Sequence, residues 1–234
     1  MNVVDKSLSL SSYRFEKFEN HLNTGGNLFN SNSMSVLLCS VAYFMKKNDG
    51  KCPRIIDFGG ACGESIIMLK NIFGDEILSK LWILETHQQV EESRNWGFAK
   101  KMQFESDIEK VLNENHIDIF FTSGCIQYLE NPLYPINLVA NSSIPIVALT
   151  WSNFSFSRKI VAQKSTLSEN GTGTHINKYG NPKMYYPNTL IRKEELIRIF
   201  QINGYSILLD SIEGNGVYGK SNYGCDLIFL KSQT

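Results

Sequence analysis

The alternation of apolar and polar positions divides this chain into short buried runs and amphipathic stretches. From Ser33 to Lys47, Met34, Leu37, Leu38, Val41, Phe44 and Met45 recur at helical spacing. Ser33 stands as N-cap, and Lys46 and Lys47 suit the negative end of the helix dipole. Four apolar runs then read as buried parallel strands, 54–58, 81–85, 117–121 and 144–149, with a short strand at 102–104 between the second and third. Helical patterns separate them, from Glu64 to Phe73 with Gly74 as its stop, from Gln88 to about Gly97, after a Ser106 cap, and from Asn131-Pro132 onward. Strands and helices in this rhythm predict an α/β fold, a mostly parallel sheet with helices on both faces. An amphipathic helix over 193–202 and two final strands, 205–212 and 225–231, predict an antiparallel hairpin at one edge. Residues 152–188 break the rhythm: they are polar, hold Gly171, Gly173 and Gly180, and exceed an ordinary connection, which points to a functional loop at the carboxyl edge of the sheet or to disorder.

The chemistry concentrates where the first strand ends, in Arg54-Ile55-Ile56-Asp57-Phe58-Gly59-Gly60-Ala61-Cys62-Gly63. A strand, a glycine-rich turn and a helix N-terminus form a nucleotide site at the carboxyl edge of a parallel sheet; a tight turn with no ligand is the plainer alternative. A dinucleotide fingerprint would need glycine where Phe58 stands, and no G-K-[ST] follows, so a P-loop is excluded. Glu85 ends the second strand 22 residues after Gly63 (85 − 63), where nucleotide folds place an acceptor for ribose hydroxyls; the bland reading is a solvated acid. Asp107 falls in the first turn of its helix, where an acid also complements the dipole.

Charge and cysteine usage narrow the classes. Lys+Arg and Asp+Glu number 23 each, so bulk electrostatics offer nothing to nucleic acid or an anionic membrane. The apolar run 36–45 is too short to span a bilayer, and the first residues do not read as a signal peptide. Five scattered cysteines without a C-x-x-C pair, and four distant histidines, speak against a zinc site or a disulfide framework and favour a reducing cytoplasm. At 234 residues the chain reads as an arm and helix over 1–50 packed on a domain over 51–234, with a substrate-side insertion at about 152–188.

The turn resembles the D-x-G-x-G-x-G motif of class I S-adenosylmethionine-dependent methyltransferases: Asp57, Gly59 and Gly63 match, with Ala61 in place of the middle glycine. Further segments are similar to methyltransferases encoded beside surface-polysaccharide biosynthesis genes. These are Asp118-Ile119-Phe120, Ser123-Gly124 with Gln127-Tyr128-Leu129, Tyr186-Pro187, and Glu195-Leu196 through Gly204-Tyr205. The likeness spans about 54–230 and is interrupted between Trp151 and Tyr185, which leaves the acceptor side less securely transferred.

The resemblance implies a Rossmann-like methyltransferase fold, S-adenosyl-L-methionine as cofactor, and O-methylation of a sugar or glycan-related small molecule. It places Asp57, Gly59, Gly60, Gly63, Glu85, Asp107, Ser123 and Gly124 around the cofactor, with Asp107 facing the adenine amine. Gln127 and Tyr128 face the methyl group, or else only pack the turn. His175 is the one histidine in the insertion, a base at neutral pH or simply a solvated side chain. Gln163 and Tyr186 are weaker acceptor-site candidates. Two rivals stand beside this reading: a methyltransferase-like module that binds without turnover in glycan assembly, and an NAD-dependent oxidoreductase, against which Phe58 argues.

Overall fold

A computed structural model describes residues 32–61, 63–95, 102–166, 183–217 and 222–232. The arm before residue 32, with the helix expected over 13–21, lies outside them, as does His175.

The expected rhythm is present, in the order α1 (Asn32–Lys47), β1 (Ile55–Phe58), α2 (Glu64–Phe73), β2 (Leu81–Leu84), α3 (His87–Ser93), β3 (Gln103–Glu105), α4 (Ile108–Glu114), β4 (Ile119–Ser123), α5 (Leu133–Asn141) and β5 (Ile146–Ser155), with β6 (Lys159–Thr166), β7 (Lys183–Leu190), α6 (Lys193–Ile202), β8 (Tyr205–Val217) and β9 (Asn222–Lys231) completing it. Short 3₁₀ turns at Asp75–Lys80 and Ile126–Tyr128 add to these. Seven strands form one sheet in the order β3-β2-β1-β4-β5-β9-β8. β3 to β5 run parallel through β1 and β2, whereas β9 runs antiparallel to β5 on one side and to β8 on the other.

The two-residue period of a strand sorts the core into two clusters. Ile56, Phe120, Val147, Leu149, Leu227 and Phe229 face one side, where Ile108 and Val111 of α4, Ile136 and Val139 of α5, and Leu196 and Phe200 of α6 cover them. Ile55, Ile119, Phe121, Ile146, Ala148 and Ile228 face the other, beneath Val36, Leu37, Val41 and Phe44 of α1 and Met68 and Leu69 of α2. Burial on both sides is why these strands read as continuous apolar runs. The helix cap before α4 is Asp107, one residue beyond the expected Ser106; its carboxylate accepts from Lys110 N at 3.1 Å.

The larger departure lies after Leu149. β5 continues to Ser155, and 159–166 pairs with 183–190 as a separate two-stranded antiparallel sheet. Helical and parallel-strand signals were absent there because this hairpin is half-exposed and mostly polar. Its pleat puts Val161, Gln163 and Ser165 of β6, with Tyr186 and Asn188 of β7, on one face. Ile160, Ala162 and Lys164, with Tyr185 and Pro187, occupy the other and are exposed. The register of β5 against β9 shifts between Leu149 and Ser152, a β-bulge at the carboxyl end of the main sheet.

Candidate active site

The carboxyl ends of β1, β2, β4 and β5 gather the candidate residues on one edge of the sheet. The turn after β1 is shaped by two close approaches. Gly59 sits at φ +73°, and a Cβ there would stand 2.3 Å from Cys125 Sγ and 2.5 Å from Cys125 Cβ. A Cβ on Gly60 would stand 2.6 Å from Asp57 Cγ. Neither position admits a side chain without movement of its neighbour. Gly63, at φ +84°, opens α2. Ala61 also lies in the left-handed region, at φ +50°, although it carries a Cβ. Such a residue costs about 1–2 kcal/mol in backbone strain, and one contact that holds it there is Glu85, whose Oε1 accepts from Ala61 N at 2.9 Å.

Glu85 therefore joins the end of β2 to the glycine turn. Its Oε2 accepts from Thr86 N at 3.0 Å. A carboxylate offers about four lone-pair directions, so each oxygen retains room for one hydroxyl donor. Burial pushes Glu85 above the ordinary carboxyl range, against the pull of these two backbone N–H groups. Asp57 is 3% exposed and takes a short hydrogen bond from the Ser65 hydroxyl in the first turn of α2, which orders the turn from beneath. Asp107 is exposed and committed to its cap.

Beyond β4, Ser123 and Gly124 lead into the 3₁₀ turn, with Gly124 N donating to Thr150 O at 2.9 Å. Gln127 is 3% exposed; its Nε2 donates to Trp151 O at 3.2 Å, and its Oε1 is buried without a hydrogen-bond partner among the described residues. The Tyr128 ring stands edge-on to Tyr186 at 5.3 Å between centroids, and its hydroxyl turns into the hairpin, donating to Gln163 Oε1 over a long 3.4 Å. Asn188, 4% exposed, donates to the same oxygen at 2.7 Å, and its own Oδ1 is buried without a partner among the described residues. Desolvation, with the neighbouring Tyr186 phenol second, pushes the Tyr128 phenol up to about 12.

Two residues of this edge escaped the sequence reading. Cys125 packs against Gly59; desolvation, aided by Glu85 and Asp57, pushes its thiol up to about 12, so it stays a protonated spacer at neutral pH. Nothing in the sequence distinguishes it from the other cysteines. Trp151 sits within the bulge at φ +50°, with 49% of its surface exposed. Its N donates to Asp226 Oδ1 at 3.2 Å, while its O accepts from Gln127, so two buried side chains grip its backbone. A bulky residue held at positive φ costs on the order of 1–3 kcal/mol and is concentrated at functional sites.

The chain matches no protein-family model and no curated protein. Its fold, however, superposes on solved structures. An S-adenosylmethionine-dependent methyltransferase from Clostridium acetobutylicum gives a TM-score of 0.54 at 10% identity, covering 94% of this chain and 99% of that one. The N-terminal domain of EvdMO1, crystallised in the presence of SAH and D-fucose, gives 0.52 at 12% identity over 89% and 85% of the two chains. The PH0226 protein from Pyrococcus horikoshii gives 0.50 at 10% identity over 87% and 93%. At these identities the likeness speaks for the architecture, which is the Rossmann-like class I methyltransferase fold.

Proposed function

We propose that this chain is an S-adenosyl-L-methionine-dependent methyltransferase that O-methylates a sugar or glycan-related small molecule. The observation that carries the reading is the junction of Glu85 with the Gly59–Gly63 turn, at the carboxyl edge of a sheet with methyltransferase topology. The donor set fits a nucleoside: a carboxylate with free lone pairs beside a turn whose glycines leave the main chain bare. The solved EvdMO1 domain, with SAH and D-fucose present, supports both halves of the proposal.

S-adenosylmethionine, when bound, supplies a methyl group on a sulfonium centre that a nucleophile attacks in line. Glu85 accepts from the ribose hydroxyls, and the backbone of Gly59, Gly60 and Gly63 approaches the cofactor closely, with Ser123 and Gly124 beside it. Asp57 and Ser65 hold the turn rigid from below. Asp107 is assigned to the adenine amine in addition to its cap. Gln127 and Tyr128 face the acceptor side. With its phenol up near 12, Tyr128 keeps its proton at neutral pH and orients the acceptor hydroxyl rather than deprotonating it. The base is assigned to His175. Orientation of two bound reactants supplies up to roughly 7–11 kcal/mol of the barrier reduction, and a base adds about 10²–10⁴-fold.

Calorimetric titration with S-adenosylhomocysteine, with NAD in parallel, tests the reading. Micromolar binding that Glu85→Ala weakens is the expected result. Binding of NAD instead, or of neither, would refute it and leave the oxidoreductase or the non-catalytic module in its place.

A further inference from the structure

From the strained Trp151 and the uncharged Gln163, Tyr186 and Asn188 of the β6–β7 hairpin, we infer that the acceptor subsite of this enzyme takes an uncharged pyranose ring, stacked on the Trp151 indole and flanked by Tyr128, Tyr186, Gln163 and Asn188. The inference rests on the methyltransferase reading for its chemistry, but its evidence is separate from the cofactor turn.

Three observations converge. The first is the conformation of Trp151. Half-exposed aromatic side chains are ordinary, but this one is presented by a bulge at positive φ, and its backbone is fixed by Asp226 on β9 and Gln127 on the 3₁₀ turn. Relaxation to an ordinary strand conformation would cost both hydrogen bonds. It stands at the carboxyl end of β5, in van der Waals reach of Gly124, where its Cβ lies 3.7 Å from the position a Gly124 Cβ would take. The Trp151 side chain thus leaves the backbone beside the strand end assigned to the cofactor.

The second is the chemistry of the hairpin's inner face. The pleat sends Gln163, Tyr186 and Asn188 toward the 3₁₀ turn and Lys164 to the opposite face, while Lys159 shares the inner face but lies four residues along β6 from Gln163 (163 − 159). What meets Tyr128 is therefore amide and phenol. Such a surface gives no counter-charge to a carboxylate, phosphate or ammonium acceptor, whose desolvation would be uncompensated. A sugar supplies both halves of what is present. Its hydroxyls exchange hydrogen bonds with amides and phenols, and its C–H face lies against the negative face of an aromatic ring.

The third is a shortage of donors. Gln127 Oε1 and Asn188 Oδ1 are both buried and have no hydrogen-bond partner among the described residues. Buried carbonyl oxygens are rarely left this way unless a water or ligand hydroxyl completes them. They flank the contact between turn and hairpin, Gln127 through Trp151 O and Asn188 through Gln163.

Saturation-transfer NMR on the full chain with S-adenosylhomocysteine present provides the test, with methyl glucopyranoside, methyl galactopyranoside and methyl fucopyranoside as neutral probes and methyl glucuronide and glucosamine as charged ones. At least one neutral probe is expected to receive saturation on its ring C–H protons, and the charged probes none. Trp151→Gly removes the indole while suiting the backbone angle, and should weaken the responding probe at least tenfold. Tyr185→Ala, on the outer face and 67% exposed in the wild type, should leave it unchanged. Thermal melting establishes that each variant is folded. Wild-type transfer in folded Trp151→Gly, equal response from the charged probes, or silence from every neutral probe would each overturn the inference. If S-adenosylhomocysteine fails to bind while Trp151-dependent transfer to a neutral pyranoside persists, the cofactor reading falls and the sugar subsite stands.

Discussion

Gly59→Ala isolates the physical origin of the glycine turn, because its cost has two separable parts. At φ +73° an alanine carries left-handed strain, about 1–2 kcal/mol. Its Cβ would also lie 2.3 Å from Cys125 Sγ and 2.5 Å from Cys125 Cβ, distances that require the neighbour to move. Overpacking of that kind costs typically 1–3 kcal/mol, so the substitution should destabilise the protein by about 2–5 kcal/mol. The parts separate in a double-mutant cycle. Cys125→Gly removes both offending atoms and leaves Cys125 Cα 3.9 Å from the new methyl, an ordinary contact. Against that background Gly59→Ala should cost only its backbone share, and the coupling between the two sites should be about 1–3 kcal/mol. Cys125→Ala leaves a Cβ behind and should relieve less. Urea unfolding of the four proteins of the cycle gives the numbers. A Gly59→Ala variant within about 0.5 kcal/mol of wild type would refute the reasoning, as would a full-size loss that Cys125→Gly does not relieve, since the contact described here would then not be what limits the turn.

Glu85→Gln is expected to weaken S-adenosylhomocysteine binding about 10–150-fold, the loss of charge-assisted hydrogen bonds worth roughly 1.5–3 kcal/mol, and to remove a pH-dependent contribution to stability, while its single amide oxygen can serve only one of the Ala61 and Thr86 N–H groups. The sign follows from burial, which raises the folded-state pKa of Glu85 above its ordinary value of 4.5: the native state binds the proton more tightly than the unfolded chain, so this group favours folding below that value and loses its contribution as pH rises through the raised one. The stability of the glutamine variant relative to wild type should therefore rise with pH across that window, and urea titrations showing a constant difference would contradict it. Asp107→Ala should cost about 1 kcal/mol through loss of the α4 cap, and Asp107→Ser should restore most of it. If Asp107 also accepts from the adenine amine, Asp107→Ser keeps its stability but binds S-adenosylhomocysteine more weakly, whereas calorimetry showing wild-type affinity would confine Asp107 to the cap.

What the sequence made legible follows from how locally each feature is encoded. β1, β2 and β4 are buried on both faces, so their composition announces them without knowledge of their partners. Lys193–Ile202 reads as a helix because Leu196 and Phe200 fall one turn apart and are both buried, and the observed helix has those bounds. The order of the strands needed more, yet a βαβ rhythm closed by a two-strand edge leaves few topologies. The proposed acceptor side obeys different physics. β5 past Leu149 and the β6–β7 hairpin are ordered by pairing with residues distant in sequence, Phe154 with Ile191 and Gln163 with Tyr186, and by a bulge that only the ladder defines. No local period announces a bulge, so Trp151 passed as the residue after a strand. The same holds for Cys125, whose role is set by a glycine 66 residues earlier (125 − 59) that has no room for a side chain. Sequence thus marks the groups that must carry charge or spare a side chain, Asp57, Glu85 and the glycines. It conceals those whose value lies in where a distant strand places them. Under the function proposed above that division follows the chemistry: Asp57, Glu85 and the glycines suit a cofactor common to many enzymes, with Cys125 packed behind their turn, and Trp151 and the hairpin are assigned to the acceptor, where each enzyme must differ.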